Sequence, residues 1–308
     1  MKPRTLVTGA SGFIGTSLCR SLADQQLEYL GIDDNPERMP GAPGDLLRLD
    51  VRDYQALEEL CRSWKPNVVI NLAAVGVLPG DVVGPEDFIS VNVGTVAKLS
   101  ALSAALGFVV VQAGTCFEYA EPPHGPVGED HRLTDAGDLY RWSKVAAERV
   151  VETITRSSSA TAVIRARIFG VTGTHEHGSR LLPAIVRAYI EGRPALLSDG
   201  TQVRDLLHVR DVAAALLHIS TRGDLIGQAV NIGRGEGYSV RDLATKAAAA
   251  LGSTSVLRFG EVPRRAHEVE YLVADTSRLM SHGWKPGLDI DETIKIAVAE
   301  LSAETRAT

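Results

Sequence analysis

The chain has 308 residues, of which 44% are hydrophobic and 23% are charged, and its formal net charge is -6. This length suits one large or two unequal globular domains, and the acidic balance argues against a nucleic-acid surface. No run of about 18 apolar residues stands out as a bilayer span, and a strand begins too early for a cleaved signal peptide. We therefore expect a soluble, cytoplasmic protein with no membrane or nucleic-acid partner.

Three glycines stand three residues apart in "RTLVTGASGFIGTSL", residues 4–18. The β-branched and aliphatic residues before them predict a buried strand, and the apolar residues from position 13 onward recur at helical spacing. A strand-to-helix turn built on Gly9, Gly12 and Gly15 lets backbone N–H groups approach a pyrophosphate. A glycine-rich β-turn is the alternative, but the strand before and the helix after favour dinucleotide binding.

Short apolar segments alternate with helical ones along the first half of the chain. Strands are predicted at residues 27–33, 46–51, 67–74 and 107–114, and a long helix within residues 86–106. This alternation is typical of a parallel sheet covered by helices on both faces. It predicts an α/β fold whose ligands bind at the carboxyl ends of the strands.

An acidic residue ends the second predicted strand at a spacing that suits a nucleotide ribose. Asp33 lies 18 residues after Gly15, close to the roughly 20-residue offset of acids that accept from the adenosine ribose. Its charge would repel a 2′-phosphate, so NAD is the predicted cofactor. NADP stays open because Arg38 is nearby, and a simple turn before Pro36 is the alternative role for the acid.

A tyrosine and a lysine stand four residues apart in "LYRWSKVAAE", so the two side chains share one face of a predicted helix. Moving a tyrosine pKa from about 10 to near 7 takes about 4 kcal/mol, which an adjacent ammonium and an oxidised nicotinamide can supply. A lysine whose stem packs along an amphipathic tyrosine is the alternative. The position of Tyr140 and Lys144 after the glycine turn and after Thr115 favours a chemical role.

Eight segments stand in the order that the extended short-chain dehydrogenase/reductase family shows, and the chain resembles its nucleotide-sugar epimerases, dehydratases and reductases. The segments are "TGASGFIG", "LDVRD", "NLAA", "AGTCFEYA", "YRWSK", "RDLLHVRDVAAAL", "NIGRGEGYSV" and "ADTSRLMSHGWKP". The resemblance covers nearly the whole chain. It implies a Rossmann doubly wound parallel sheet with a smaller C-terminal substrate-binding domain.

The same resemblance assigns the cofactor site residue by residue. The residues assigned to NAD are Gly9, Gly12, Phe13, Ile14 and Gly15 at the pyrophosphate, Asp33 at the ribose, Asp50 and Val51 beside the adenine, Ala73 and Ala74 along the cleft, and Tyr140 and Lys144.

The resemblance also assigns the chemistry, with Tyr140 as acid/base, Lys144 tuning it, and Thr115 hydrogen-bonding the reacting sugar oxygen. In the dehydratases of the family an Asp-Glu pair follows the threonine, whereas here those places hold Cys116 and Phe117. Neither exchanges protons as a carboxylate does. Dehydration, and decarboxylation that relies on a glutamate there, are therefore disfavoured, and Thr115 and Cys116 stay candidates for contacting the sugar.

Further substrate contacts are expected in the second half of the chain. By resemblance, Arg204 and Arg265 take the places where the family grips the diphosphate, a task for bidentate guanidinium groups; solvated surface charges are the alternative. His175 is a candidate for facing the substrate. His175 and His177 could form a metal-binding pair, but no further ligand follows at suitable spacing. The three cysteines are also far apart in the sequence, so we expect no metal site.

The predicted domains are an NAD(P)-binding domain and a substrate-binding domain. The first covers residues 1–165 with residues 201–233 returning to it, and the second covers residues 166–200 and 234–308. The long helix within residues 86–106 and the tyrosine-bearing helix resemble the pair that forms a four-helix dimer interface in the family. A homodimer is therefore expected.

The leading functional prediction is NAD(P)H-dependent reduction of a nucleoside-diphospho 4-keto-6-deoxy sugar at C4, with Tyr140 donating a proton to the carbonyl oxygen. The "GTCFEY" segment resembles the 4-ketoreductase branch more than the galactose-epimerase branch. A C4 epimerase that retains NAD is one alternative, and a non-catalytic cofactor-sensing protein on the same fold is another. Consumption of added cofactor separates the first two, and the intact Thr115, Tyr140 and Lys144 argue against the third.

Overall fold

The computed structural model describes residues 3–37, 46–78, 81–121, 125–135, 137–264 and 268–307. In chain order its strands are β1 (Arg4–Thr8), β2 (Glu28–Asp33), β3 (Leu46–Arg48), β4 (Val68–Asn71), β5 (Val109–Thr115), β6 (Val163–Ile168), β7 (Gly170–Thr172), β8 (Ala195–Leu197), β9 (Val203–Arg204), β10 (Leu206–His208), β11 (Ala229–Ile232), β12 (Tyr238–Ser239), β13 (Leu257–Phe259) and β14 (Tyr271–Leu272).

The helices, again in chain order, are α1 (Phe13–Asp24), α2 (Tyr54–Trp64), α3 (Pro85–Asp87), α4 (Thr95–Leu106), α5 (Leu139–Ser157), α6 (Leu181–Ile190), α7 (Val209–Ser220), α8 (Val240–Ala250), α9 (Ser277–Ser281) and α10 (Ile290–Ala307). A π-helical stretch, Phe88–Gly94, joins α3 to α4, and 3₁₀ turns form at Cys116–Glu118 and Gly223–Leu225. Two residues named from the sequence, Arg38 and Arg265, lie outside the described residues.

The central sheet has seven strands in the order β11-β6-β5-β4-β1-β2-β3. The neighbouring pairs from β3 to β6 are parallel. The order reverses between β1 and β4, and in doubly wound sheets dinucleotides bind in the crevice at this reversal. The predicted Rossmann sheet is confirmed, although β3 ends at Arg48 and is shorter than the predicted strand.

The chain divides into two compact units. The first comprises Met1–Ala120, Glu129–Ile168 and Ala213–Asn231, and the second Glu121–Gly128, Phe169–Val212 and Ile232–Thr308. The largest differences from the predicted bounds are at two places. The returning segment begins at residue 213 instead of 201, because β9 and β10 pair with strands of the second unit. Residues 121–128 join the second unit, where Val127 bridges to Ala274.

Each unit has its own apolar core. In the first, buried side chains of the sheet pack against those of α2, α4 and α5. This core includes Leu6, Ile32, Leu57, Val69, Leu99, Val110 and Val151. In the second, α6, α8 and α10 pack together around Leu182, Ile185, Ala247, Ile294 and Leu301. The second unit also carries three small sheets, β10-β7, β12-β9-β14 and β13-β8.

The helical segment Pro85–Leu106 is, within the described residues, the one helix long and apolar enough to cross a membrane by length and composition. A helix within residues 86–106 is predicted from the sequence, but a bilayer span is not. Its window is 44% buried, and Val96 and Leu99 belong to the core of the first unit. Core helices of soluble proteins pass the same test, so this segment is weak evidence for a membrane span.

Candidate active site

The glycine-rich turn lies between β1 and α1, with Gly9 in the left-handed region at φ +66°. A Cβ on Gly9 would lie 2.8 Å from the backbone nitrogen of Ala73, and one on Gly15 would lie 2.1 Å from the Gly9 carbonyl oxygen. Gly12 caps α1 without a side-chain hydrogen bond. The N–H groups of the first helical turn lack intrahelical acceptors, and with the helix dipole they suit a pyrophosphate.

We expect Gly15→Ala to weaken NAD binding and to destabilise the first unit by about 1–3 kcal/mol. The added methyl group would overlap the Gly9 carbonyl, and relief requires a shift of the first turn, where Phe13 and Ile14 stand. Calorimetric NAD titration and urea unfolding measure the two effects. Gly223→Ala is the control, because among the described residues no atom beyond its chain neighbours lies within 4 Å of its added methyl. Wild-type NAD affinity in Gly15→Ala would contradict the prediction that the glycine turn binds the pyrophosphate.

Asp33 ends β2 with its side chain buried against the glycine turn. Its carboxylate accepts hydrogen bonds from the backbone N–H groups of Ser11 at 3.1 Å and Asn35 at 3.0 Å. The Ser11 hydroxyl donates to the Asn35 carbonyl at 2.9 Å. Burial raises the pKa of Asp33, and the hydrogen bonds from Asn35 and Ser11 oppose this effect. The acid therefore stands beside the turn, at the edge of the sheet where its spacing predicts a ribose.

Replacing Asp33 with serine should weaken NADH binding and strengthen NADPH binding. Two like charges about 4 Å apart repel by about 4 kcal/mol at an effective dielectric constant of about 20, so losing the carboxylate favours a 2′-phosphate. Dissociation constants for both reduced cofactors, from fluorescence titration, give the preference ratio. Asp34→Ser, at the exposed neighbouring position, is the matched control. A wild-type protein that already prefers NADPH would show that Asp33 does not face the ribose.

The other predicted cofactor contacts lie after β3 and β4. Asp50 forms an ion pair with Arg52 at 2.6 Å, and hydrogen bonding from Arg52 holds the pKa of Asp50 below its usual range. Val51 is buried in the core of the first unit. Ala73 and Ala74 follow β4 and are partly exposed, and Ala73 lies directly against Gly9.

Buried hydrogen bonds link the ends of the central strands to the lysine of α5. The Thr8 hydroxyl donates to the side-chain Oδ1 of Asn71, and the side-chain amide of Asn71 donates to the Gln112 Oε1 at 2.6 Å. The Gln112 amide and the Lys144 ammonium both donate to the Ala113 carbonyl, at 2.9 and 3.1 Å. These polar groups satisfy one another, so each of the four side chains has a hydrogen-bond partner.

Tyr140 and Lys144 lie one turn apart near the start of α5. The helix begins at Leu139 because the Asp138 carboxylate accepts from the Arg141 backbone N–H at 2.9 Å. The Lys144 Nζ lies 5.8 Å from the centroid of the Tyr140 ring. Lys144 is buried, which lowers its pKa. The ammonium is thus fixed between the Ala113 carbonyl and the partly exposed phenol.

Thr115 ends β5 and begins a 3₁₀ turn as its N-cap. Its hydroxyl accepts from the Phe117 backbone N–H at 3.3 Å, and its own N–H donates to Glu118 at 2.7 Å. The hydroxyl keeps its proton for donation to another oxygen. Cys116 is a buried thiol that is not part of a disulfide, and the Phe117 ring packs under the Arg141 guanidinium at 5.2 Å.

His175 and Arg204 belong to the second unit, and each has a carboxylate partner there. The His175 Nδ1 lies 3.0 Å from Glu304, and its backbone N–H donates to the same carboxylate. Arg204 forms an ion pair with Glu268 at 3.0 Å. The third predicted contact, Arg265, falls outside the part of the chain that the structure describes.

In the described ranges, no group of three or more His, Cys, Asp or Glu side chains is arranged to hold a metal ion. The two histidines of the HxH sequence have separate partners. His177 contacts Ser179 at 2.8 Å, and His175 contacts Glu304. The loop thus uses its imidazoles for hydrogen bonds within the second unit.

Sequence reasoning missed a buried ionic cluster next to Thr115 and Lys144. Glu148 of α5 accepts from Arg165 at 2.9 Å and from Arg167. Arg167 also donates to the Tyr119 hydroxyl at 3.0 Å, and its Nε lies 3.7 Å from the Glu118 Oε2. Two arginines in one apolar strand were the available signal, because buried charges require partners.

A second missed feature is the π-helical stretch Phe88–Gly94, which turns Asn92 inward. The Asn92 side-chain Oδ1 accepts from the Val75 backbone N–H at 2.9 Å. Its amide donates to the Val75 carbonyl at 3.1 Å and to the Ser143 hydroxyl at 2.9 Å. Asn92 therefore ties the loop after β4 to α5 immediately beside Lys144.

Comparison with known proteins shows the family of this chain. Residues 5–233 match the model of the NAD dependent epimerase/dehydratase family, so the chain belongs to that family, and the predicted resemblance is confirmed. The chain is 29% identical to the UDP-glucose 4-epimerase of Azospirillum brasilense, covering 96% of this chain and 91% of that one.

Two solved structures show the same architecture. The UDP-glucose 4-epimerase of Thermus thermophilus in complex with NAD is 25% identical with a TM-score of 0.80, covering 97% of this chain and 98% of that chain. The Thermotoga maritima UDP-glucose 4-epimerase with UDP-glucose has a TM-score of 0.87 at 21% identity, covering 98% and 99%.

Family membership makes this protein an enzyme of the NAD-dependent epimerase/dehydratase class, and NAD is confirmed as the predicted cofactor. The residues present fit the dinucleotide. The glycine turn has space that Cβ atoms would fill, and the buried Asp33 carboxylate lies beside that turn.

Proposed function

We propose that this enzyme interconverts the C4 epimers of a nucleoside-diphospho sugar by reversible oxidation at C4. The observation that carries the proposal is the Lys144 ammonium, which is held in place one helical turn from Tyr140. The residues at the end of β5 are Thr115, Cys116 and Phe117. This set transfers protons to and from a sugar oxygen but offers no carboxylate at 116 or 117 to eliminate water.

Several residues of the first unit would hold the cofactor. The backbone of Gly9, Gly12 and Gly15 would receive the pyrophosphate, and Asp33 would accept from the adenosine ribose. When bound, NAD supplies a hydride acceptor that returns the hydride after the sugar has been oxidised.

The protein's own residues manage the proton. Tyr140, as phenolate, takes the proton from the sugar C4 hydroxyl, and Lys144 stabilises that phenolate by its positive charge. The Thr115 hydroxyl donates a hydrogen bond to the same sugar oxygen. After the 4-keto sugar turns its other face, Tyr140 returns the proton to the oxygen, and the opposite C4 configuration results.

The relatives support C4 as the reacting position and a uridine nucleotide as the carrier. The Azospirillum brasilense relative is a UDP-glucose 4-epimerase, and so is the Rhizobium leguminosarum relative at 28% identity. We further propose that Arg204 grips the substrate diphosphate in competition with Glu268, and that Arg265 and His175 contribute to substrate binding.

The test is incubation of the purified enzyme, supplied with NAD, with UDP-glucose and separately with UDP-galactose. Proton NMR of the anomeric signals should show each converting to the same mixture with no net change in NADH absorbance. A wider panel of uridine, thymidine, guanosine and cytidine diphospho sugars follows if neither reacts. No interconversion across the panel would refute the epimerase.

A 4-ketoreductase is the second candidate, and the "GTCFEY" segment favours it. The same three residues serve it, with Tyr140 giving its proton to the carbonyl oxygen and reduced cofactor consumed. The discriminating experiment supplies NADH or NADPH with nucleoside-diphospho 4-keto-6-deoxy sugars and follows absorbance at 340 nm. Stoichiometric cofactor loss supports the reductase, and its absence removes this candidate.

We also propose that two copies pair through an apolar patch of the first unit formed by Pro85, Ile89, Leu139 and Trp142. Ile89 is 54% and Trp142 50% exposed, and these residues lie on the two helical segments that resemble the family's dimer interface. Trp142→Glu should shift the sedimentation-equilibrium mass from dimer to monomer. Lys65→Glu, outside the patch, is the control. A monomeric wild-type protein would contradict the pairing.

A further inference from the structure

A histidine in the loop between β7 and α6 has a left-handed backbone conformation. His175 has φ +68°, a region that is uncommon for residues other than glycine because the Cβ crowds the following carbonyl oxygen. Such strain persists only where neighbouring groups enforce it, and it is concentrated at functional sites. The loop therefore needs contacts that hold His175 in this conformation.

Two glutamates of α10 accept hydrogen bonds from the main chain of this loop. The Thr174 N–H donates to the Glu300 Oε2 at 3.0 Å. The His175 N–H donates to both carboxylate oxygens of Glu304, each at 3.0 Å, and the Thr174 hydroxyl donates to Glu304 as well. Glu304 lies in the last turn of α10, where the helix dipole disfavours a carboxylate. Its contacts with the loop offset that cost.

The Glu300 carboxylate is in turn held by side chains of β10 and α7. His208 is fully buried, and its Nδ1 accepts from the Arg210 backbone N–H at 3.2 Å. Its Nε2 therefore carries the ring proton and donates to the Glu300 Oε2 at 3.2 Å. The Arg210 guanidinium also donates to Glu300. A Cβ on Gly173 would lie 3.0 Å from the His208 Nε2, so the loop lies directly against this imidazole.

The imidazole of His175 faces the same carboxylate that holds its main chain. Its Nδ1 lies 3.0 Å from the Glu304 Oε1. A carboxylate oxygen offers only lone pairs, so the proton of the neutral ring belongs on Nδ1. Nε2 is then an acceptor, and among the described residues no hydrogen bond occupies it. The side chain is 22% exposed, so part of it is accessible to a ligand.

The other titratable side chains of the loop are engaged within the loop itself. Glu176 accepts from the Thr172 hydroxyl at 2.6 Å, and the Nδ1 of His177 contacts the Ser179 hydroxyl at 2.8 Å. His175 is thus the group whose second ring nitrogen is left for a ligand, and Glu304 is the group that orients it.

We propose that Glu304 is the positioning residue of this loop. It fixes the left-handed backbone of His175 and the proton on Nδ1, so that the unprotonated Nε2 accepts a hydrogen bond from a hydroxyl group of the substrate. Phosphate oxygens of the diphosphate only accept at neutral pH, so this nitrogen does not serve them. The substrate contact rests on the proposed function, whereas the tautomer and the structure of the loop do not.

The first experiment needs no substrate, because NMR reads the tautomer of His175 directly. Long-range ¹H–¹⁵N spectra of histidine-labelled protein at alkaline pH distinguish the two ring nitrogens, and His175→Asn identifies the signals among the eight histidines. We expect the proton on Nδ1 in the wild type and on Nε2 in Glu304→Met, which has no acceptor for Nδ1. A proton on Nε2 in the wild type, or the same tautomer in both proteins, would overturn the proposal.

Two further variants make this result decisive. Glu304→Gln keeps the side-chain length and one acceptor oxygen, and it serves if the methionine variant does not fold. The fraction of rings protonated on Nδ1 should fall there too, because a neutral amide accepts less strongly than a carboxylate. Glu292→Gln is the matched control, an exposed carboxylate on the same helix that accepts from the Asp289 N–H. A change of the His175 tautomer in this control would overturn the assignment to Glu304.

The second experiment measures ligand affinity by calorimetry in the presence of NAD, with UDP and with UDP-glucose. Glu304→Met and His175→Asn should each weaken binding by about 3- to 10-fold, the usual worth of one hydrogen bond. Asparagine tolerates the left-handed backbone, so His175→Asn removes the imidazole without adding strain. A loss shared by both ligands assigns the hydroxyl to the ribose, and a loss confined to UDP-glucose assigns it to the sugar. Wild-type affinity for both would overturn the proposal.

The double variant separates positioning from a merely structural role. If Glu304 acts through His175, the double variant should bind no more weakly than either single variant. Additive losses would show that Glu304 acts apart from His175 and would overturn the proposal. If the wild type binds neither ligand, the uridine carrier of the proposed function fails, and the NMR result alone decides the role of Glu304.

Discussion

Tyr140→Phe should lower turnover by about 10²- to 10⁴-fold and leave NAD affinity nearly unchanged. The phenol exchanges a proton only in the transition state, so removing it costs the usual contribution of one general acid/base. Its ring still packs beside Lys144, whose Nζ lies 5.8 Å from the ring centroid. Steady-state kinetics and calorimetric titration with NAD measure the two quantities.

Two further variants test the specificity of that effect. Tyr189→Phe, on α6 in the second unit, should keep the wild-type rate. Lys144→Ala should reduce both the rate and NAD affinity, since the resemblance places the ammonium at the nicotinamide ribose. If Tyr140→Phe keeps most of the wild-type rate, another group supplies the proton, and His175 or Cys116 becomes the candidate.

Glu148→Leu should lower the free energy of unfolding by about 3–5 kcal/mol, the typical cost of removing one partner from a buried ion pair. Glu148 pairs with Arg165 at 2.9 Å and with Arg167, and all three side chains are nearly fully buried. Its loss leaves two guanidinium groups in the interior with less compensation. Urea unfolding followed by circular dichroism gives the difference in free energy.

The comparison is with Glu152→Gln, one turn further along α5. This carboxylate also contacts Arg165, at 3.0 Å, but its side chain is 25% exposed. Water compensates the charge it leaves, so we expect a cost of no more than about 1 kcal/mol. Equal destabilisation by the two variants would mean that burial does not govern the energy of this cluster.

Local patterns predict the elements that carry the cofactor site. The glycine turn is predictable from the spacing of Gly9, Gly12 and Gly15. A backbone that must approach a pyrophosphate closely leaves no room for side chains, so these positions are glycines. The position of Asp33 beside the glycine turn is predictable because this residue ends an apolar strand. Tyr140 and Lys144 share a face because helical periodicity requires it.

Longer-range packing decides what the patterns do not show. Arg165 and Arg167 alternate with apolar residues, a pattern typical of a strand with one solvent-exposed face. In the structure α5 covers that face of β6 and supplies Glu148. Glu118 turns inward only because a 3₁₀ turn follows Thr115, and no hydrophobic period marks so short a turn. Partners such as Glu268 for Arg204 lie too far apart in sequence for spacing to suggest.

The π-helical stretch Phe88–Gly94 makes the length of its helix a constraint on the active site. Its wide turn carries one residue more than an α-helical path, and that residue sets the direction in which Asn92 points. Deleting any one residue there would regularise the helix and rotate Asn92 by about 100° about its axis. Val75 and Ser143 would both lose their hydrogen bonds to Asn92. The outer face of this helix is exposed and apolar, but we expect an insertion or deletion in it to disturb the active site.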